Sequence, residues 1–201
     1  MPFVDPYFDE SIGALKNLLG AKTLEELQEL EPQIVFANQL EIESVSIPRS
    51  NNLSEVLFIH KQLFKGIYEW AGQIRTVDIK KNDEDAEFFL IVGKIPSAAN
   101  YVFAKLAEED HLKGLSQVIF TKRLAYHYDQ LNYIHPFREG NGRVQRIFWS
   151  RIAKDAGYEI GWDLILGDEN DKASRIAAEQ MDLSKLEAMF AKIVRPADPR
   201  V

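Results

Sequence analysis

The chain contains no cysteine. That removes disulfides, thiolate nucleophiles and thiolate metal sites, and it fits a reducing compartment. No apolar run approaches the roughly 20 residues that a membrane-spanning helix needs, and there is no internal repeat or low-complexity tract. The first residues, Met1-Pro2-Phe3-Val4-Asp5-Pro6, show neither a basic start nor an apolar stretch, so no secretory leader is expected. Positive charge is in deficit: 24 Lys and Arg stand against 31 Asp and Glu, a formal charge of −7. An acidic surface repels a phosphate backbone, so generic nucleic-acid binding is not expected, and any phosphate must be held locally by a few placed cations and amides. The 4 histidines lack metal-site spacing, so no zinc site is expected. The expectation is a cytoplasmic protein that spans no membrane and binds no nucleic acid.

What is present suits one folded unit. Hydrophobic residues make up 46% of 201 residues, enough for a sizeable core. The helical period recurs along most of the chain. Thr23-Leu24-Glu25-Glu26 opens a helix, with Thr23 as N-cap and Glu26 three residues on. Residues 54–70 read as a helix with Val56, Ile59, Leu63, Ile67 and Trp70 on one face, ended by Gly72. Residues 97–109 and 115–133 read as further helices, another runs from about Gly142 to Ala156 with Gly157 closing it, and a last helix covers roughly 171–193 before a frayed tail. Between 73 and 92 the period changes. Arg75, Val77 and Ile79 alternate with Thr76 and Asp78, a polar stretch Lys80–Asp85 follows, and Phe88–Val92 is apolar. This predicts a β-hairpin, the only convincing β signal. The expected class is mainly α with one hairpin, arranged as an N-terminal helical region 1–53, a core at about 54–165 and the C-terminal helix.

The segment that carries chemistry is His135-Pro136-Phe137-Arg138-Glu139-Gly140-Asn141-Gly142-Arg143-Val144-Gln145-Arg146. Pro136 marks a loop entry and biases His135 away from α geometry. Gly140 and Gly142 flank Asn141 and let the backbone approach a ligand. The helix that follows presents free amides and a partial positive charge, which suit phosphate. Arg143 and Arg146 sit three apart on one face and add two guanidinium groups to that anion nest. Glu139 is placed to hold Mg²⁺, which takes one or two carboxylates together with phosphate oxygens. His135 titrates near neutral pH and is the candidate base. A base, a metal ligand, an amide nest and two arginines make a phosphoryl- or nucleotidyl-transfer site.

This segment resembles the Fic family signature, His-Pro-Phe-x-(Asp/Glu)-Gly-Asn-Gly-Arg-x-x-Arg, at every fixed position. The resemblance extends to Ile59–Phe64, Tyr68–Arg75, Val77–Ile79, Leu131-Asn132 and Ala156–Tyr158, and Asp5–Tyr7 with Leu18–Gly20 look like the start of bacterial toxin-type members. It implies a Fic fold: a helical bundle with a β-hairpin flap beside the active-site loop, on which a target protein docks by strand addition. It implies a protein adenylyltransferase that moves AMP from ATP-Mg onto a Tyr, Thr or Ser hydroxyl. His135 is then the base, Glu139 the Mg²⁺ ligand, Gly140, Asn141 and Gly142 phosphate binders, and Arg143 and Arg146 the holders of the β- and γ-phosphates. Lys81 and Asn82 in the hairpin turn are candidates to touch the nucleotide base or sugar. Asp85-Ala86-Glu87 stand where the resemblance leads one to expect an apolar flap residue. Transfer of UMP or phosphocholine, and a non-catalytic nucleotide-binding regulator, are the alternatives.

Arg138, at the variable position, is expected to face solvent, and His60, His111 and His127 to be structural or exposed. Many family members are silenced by a helix carrying (Ser/Thr)-x-x-x-Glu, and no Ser or Thr here meets Glu at that offset. The resemblance therefore implies a toxin-type bacterial member whose separate small antitoxin supplies a glutamate to Arg146, or else an effector injected into a host cell.

Overall fold

A computed structural model describes residues 5–42, 44–80, 89–165 and 168–198. The hairpin turn, with Lys81, Asn82 and Asp85–Glu87, lies outside the described residues. The N-terminal strands β1 (Phe8–Asp9) and β2 (Ala14–Leu15) pair antiparallel, with Phe8 opposite Leu15. There follow α1 (Leu24–Ile42), α2 (Leu53–Phe64), α3 (Ile95–Glu108), α4 (Gln117–Ile134) and α5 (Asn141–Asp155). The chain ends in β3 (Tyr158–Ile160), α6 (Glu169–Gln180), α7 (Ser184–Ile193) and β4 (Val194–Pro196), with β4 antiparallel to β3 and Ile160 opposite Val194. Among the described residues no helix is long and apolar enough to cross a membrane.

The core is built around α4 and α5. Phe120, Leu124 and Leu131 of α4 meet Val144, Phe148, Trp149 and Ile152 of α5, all fully buried. The face of α2 made by Val56, Ile59, Leu63 and Phe64 closes it on one side, and Leu186 and Phe190 of α7 on another. Burying such side chains is worth roughly 1.5–3 kcal/mol each, which is what holds short helices that would be marginal alone.

Local chemistry explains most boundaries. The Thr23 hydroxyl accepts the Glu26 N–H at 3.2 Å and so caps α1, while the Glu26 carboxylate reaches past it to the Lys22 N–H at 2.7 Å. α1 continues through Pro32. Asn38 of α1 donates to the carbonyls of Leu63 and Lys65 at 2.9 and 3.1 Å, which satisfies the C-terminus of α2.

Four expectations are corrected. α2 stops at Phe64 rather than near Trp70, because Gly66 takes a φ of 75° and turns the chain. Ile67 and Trp70 are buried all the same, from that turn. The helix expected over 171–193 is two helices, α6 and α7, broken where Met181 goes left-handed (φ 52°) and Asp182 accepts the Ser184 N–H at 2.8 Å. The tail is not frayed as far as Pro196, since β4 pairs with β3. β structure also lies outside the expected hairpin, in β1–β2 and β3–β4; strands of two or three residues are too short to show alternation. The described ends of the expected hairpin do approach, with the Phe89 N–H donating to the Ile79 carbonyl at 3.1 Å.

Candidate active site

α4 ends at Ile134 and delivers His135 as its C-cap in the left-handed region (φ 45°, ψ 64°). For a residue with a Cβ this conformation is strained by about 1–3 kcal/mol, and it persists because the surroundings fix it. The His135 N–H donates to the Leu131 carbonyl at 3.1 Å, and its own carbonyl accepts from Arg75 Nε at 2.8 Å. The ring stacks on Phe89 with centroids 3.6 Å apart. Nδ1 lies 3.1 Å from the Asn132 carbonyl oxygen. A carbonyl only accepts, so the proton of the neutral ring sits on Nδ1, and Nε2 carries the lone pair.

The loop that follows is clasped by Asn141. Its Oδ1 accepts the Phe137 N–H at 2.9 Å and its Nδ2 donates to the Phe137 carbonyl at 2.8 Å. Asn141 and Phe137 are both buried, and the polar atoms of the Asn141 side chain are taken up by this clasp. Gly140 caps α5 at φ 82°, where a Cβ would come within 2.2 Å of the Phe64 ring. Gly142, in contrast, has nothing within 4 Å of where a Cβ would be, and is open to an approaching ligand. The ladder of α5 begins with the Val144 N–H donating to the Gly140 carbonyl at 3.1 Å, so the amides of the residues between them point out of the helix N-terminus.

Glu139 turns its Oε1 to the Gly140 N–H at 2.7 Å and to Arg143 Nη2 at 3.1 Å. Arg143 lies over the Phe64 ring at 4.8 Å, and its Nη1 pairs with Glu31 of α1 at 2.6 Å. Arg146 is exposed, with its guanidinium 5.8 Å above the Trp162 ring. Both arginines line a groove of about 780 Å³ whose wall includes Ile42, Ile47, Trp162 and the cations Arg49 and Lys154. Among the described residues no group of three or more His, Asp or Glu forms a metal cage. A single half-exposed carboxylate, Glu139, beside an amide nest fits Mg²⁺ that keeps water and phosphate oxygens as its other ligands.

Beneath the loop, His60 is fully buried between Phe137, 3.8 Å away, and Phe64, 4.6 Å away. Its Nδ1 accepts the Gly72 N–H at 2.7 Å, so Nε2 bears the proton and donates to the Glu139 carbonyl at 3.2 Å. Burial pushes its pKa down to about 3.

This geometry has known counterparts. Residues 50–153, just over half of the chain, match the model of the Fic/DOC family. The chain belongs to the Fic/DOC family. The protein adenylyltransferase VbhT of Bartonella schoenbuchensis is 40% identical over 170 residues, which cover 85% of this chain and 35% of that protein. The probable protein adenylyltransferase Fic of Escherichia coli is 33% identical over 193 residues, 96% of this chain and 94% of that one. The chain thus spans about a third of the first relative's length and nearly all of the second's. Among solved structures, the N-terminal Fic domain of a putative cell filamentation protein of Bartonella quintana with bound ADP aligns with a TM-score of 0.86 at 26% identity, covering 96% of this chain and 95% of that one. BepC of Bartonella tribocorum with bound AMPPNP aligns with a TM-score of 0.85 at 25% identity, covering 96% and 97%.

In this Fic domain the expected residues His135, Glu139, Gly140, Asn141, Gly142 and Arg143 lie on one loop and the first turn of α5, with Arg146 one turn further along. Lys81 and Asn82 lie outside the described residues. Arg138 does not simply face solvent as expected. It is three-quarters covered, and its Nε donates to Asp5 at 2.8 Å, which ties the N-terminal segment to the loop. Three supports have no sequence signal of their own: Arg75, His60 and Glu31. Arg75 is buried and donates to three carbonyls, of His135, of Val77 at 2.7 Å and of Leu90, so it joins the loop to the described residues on both sides of the expected hairpin turn.

Proposed function

We propose that this chain is a protein adenylyltransferase that moves AMP from ATP onto a Tyr, Thr or Ser hydroxyl of a target protein. The observation that carries it is the His135 tautomer, with the proton on Nδ1 and the lone pair on Nε2, at the head of a loop that runs into an amide-lined helix N-terminus flanked by Arg143. Adenylyltransferase names among its relatives, and AMPPNP- and ADP-bound neighbours of the same fold, support the donor.

The chain's own residues divide the work. Amides of the first turn of α5 receive the phosphates, and Arg143 and Arg146 neutralise the β- and γ-groups. His135 Nε2 takes the proton of the target hydroxyl as its oxygen forms a bond to the α-phosphorus in line. The bond from that phosphorus to the bridging oxygen of the β-phosphate breaks, and pyrophosphate leaves with the electron pair. Glu139, together with phosphate oxygens, would hold Mg²⁺, which would supply charge stabilisation for the leaving group. The target segment adds as a strand along the hairpin. The test is incubation of the full chain with Mg²⁺ and bacterial lysate plus ATP, UTP or CDP-choline, each labelled on its transferable group. Labelled protein from ATP alone supports the reading. Label from UTP or CDP-choline instead, or none, overturns it.

The groove supports a second part of this reading, a small antitoxin whose helix lays apolar residues on Ile42, Ile47 and Trp162 and a glutamate on Arg146. Expressing the chain alone and with the small open reading frame beside its gene tests it. Growth arrest relieved by the neighbour, with binding of the neighbour to the purified chain weakened by Arg146→Ala, is the expected pattern. A harmless lone chain, or binding indifferent to Arg146, rejects it.

A further inference from the structure

The buried stripe of α1 runs Leu27, Val35, Asn38 and Ile42. Glu31 occupies the same stripe, one turn after Leu27 and one before Val35, where the pattern calls for an apolar side chain. A carboxylate facing the core is costly unless it is paired and hydrogen-bonded. Here it is both. One oxygen of Glu31 meets Arg143 Nη1 at 2.6 Å and the other accepts from the Tyr68 hydroxyl, and its side chain is only 13% exposed. The Tyr68 ring is fixed in turn by stacking on Trp70 at 4.3 Å. Burial and the bond to Glu31 hold the Tyr68 hydroxyl far above its ordinary titration range, so it remains a donor.

We infer that Glu31 is a positioning residue for nucleotide binding: it braces Arg143 so that the guanidinium meets the terminal phosphates already in place. This rests on the adenylyltransferase reading above. Arg143 is held from three sides, by Glu31, by Glu139 at 3.1 Å and by the Phe64 face at 4.8 Å. A guanidinium has five N–H donors, so two ion pairs leave donors for phosphate. A residue that must swing aside to admit a ligand would be exposed and weakly held. Glu31 is neither, which makes it a strut and not a gate. The match to the Fic/DOC family begins at residue 50, so this strut is supplied by a helix N-terminal to the matched segment.

Without the brace, the long Arg143 side chain must be ordered when the nucleotide binds, which weakens binding by roughly three- to tenfold. The experiment is calorimetric titration of the full chain with AMPPNP-Mg and, separately, with AMP. Glu31→Gln keeps the shape and removes the charge. Tyr68→Phe removes the hydroxyl that anchors Glu31 and keeps the ring stack. Both variants are expected to lose affinity for AMPPNP, Tyr68→Phe by the smaller factor, while affinity for AMP, which has no terminal phosphates, stays as in the wild type. If Glu31→Gln does not fold, Tyr68→Phe carries the test alone. Unchanged AMPPNP affinity, equal weakening for AMPPNP and AMP, or tighter AMPPNP binding each overturns the strut, the last because Glu31 would then be a competitor for Arg143. A wild-type chain that binds no AMPPNP overturns the adenylyltransferase reading itself, and this inference with it.

Discussion

His135 Nδ1 sits 3.1 Å from the carbonyl oxygen of Asn132, its neighbour one turn back on α4. The bond sets both the tautomer and the direction of the ring, so the lone pair is on Nε2. On the proposed mechanism, His135→Ala removes a group that acts on the nucleophile's proton and not on the nucleotide. AMP transfer should fall by about 10²-fold or more, while AMPPNP affinity stays within about twofold of wild type. Retention of most of the activity would remove His135 from the role of base.

Gly140 is required by two independent facts, a φ of 82° and a contact in which a Cβ would lie 2.2 Å from Phe64 Cζ. The Phe64 ring is fully buried and also carries Arg143 on its face, so it cannot yield without disturbing the site. Gly140→Ala should destabilise the fold by about 2 kcal/mol or more, combining left-handed strain with overpacking. Gly142→Ala, which meets nothing within 4 Å, should leave stability nearly unchanged. Equal melting temperatures for the two variants would refute the packing argument.

How far the sequence reaches follows from this contrast. The loop from His135 to Arg146 is legible because its requirements are local: glycine where φ is positive, a helix N-terminus for amides, arginines one turn apart. The α4 and α5 boundaries are legible for the same reason, falling within a residue or two of the expected ends. What escapes is contact between residues distant in sequence. Glu31 reaches Arg143, Arg75 reaches His135, and His60 reaches Glu139 only once α1, α2 and the loop are packed together. The break between α6 and α7 escapes for another reason. Met181 adopts a left-handed conformation that its residue type does not advertise, and only the Asp182–Ser184 pairing hints at it.

Arg75 shows what such a long-range contact does. With a side chain wholly out of solvent, it supplies the donors for the His135, Val77 and Leu90 carbonyls. Arg75→Lys keeps the charge but loses the planar fork that reaches them together. Each buried carbonyl left without a donor costs roughly 1–3 kcal/mol, so the melting temperature should drop. Because the carbonyl of His135 is released as well, the rate of AMP transfer should drop further than the affinity for AMPPNP. Loss of both in equal proportion would mark Arg75 as a fold residue only.

His60 makes the stability of the fold depend on pH, with a definite sign. Its folded-state pKa is pushed by burial from 6.5 to about 3. The folded protein therefore keeps the ring neutral, with Nδ1 accepting from Gly72 and Nε2 donating to Glu139, while the unfolded chain takes up a proton below about pH 6.5. Protonation is incompatible with the Gly72 bond and places a charge between Phe64 and Phe137. The stabilisation is whole above pH 6.5 and is lost progressively between about 6.5 and about 3. By linkage, the loss at pH 5 relative to pH 7 is about 2 kcal/mol for this group. Burial also lowers the pKa of His127, opposed by Glu109, and this adds to the fall in the same direction. His60→Gln retains an amide donor toward the Glu139 carbonyl and does not titrate. It should start less stable at pH 7, since the ring stack is gone, but lose less stability on going to pH 5. Urea denaturation at pH 7, 6 and 5 measures both slopes. The wild-type slope should be the steeper, and a His60→Gln slope as steep as the wild type's would show that the proton is taken up elsewhere.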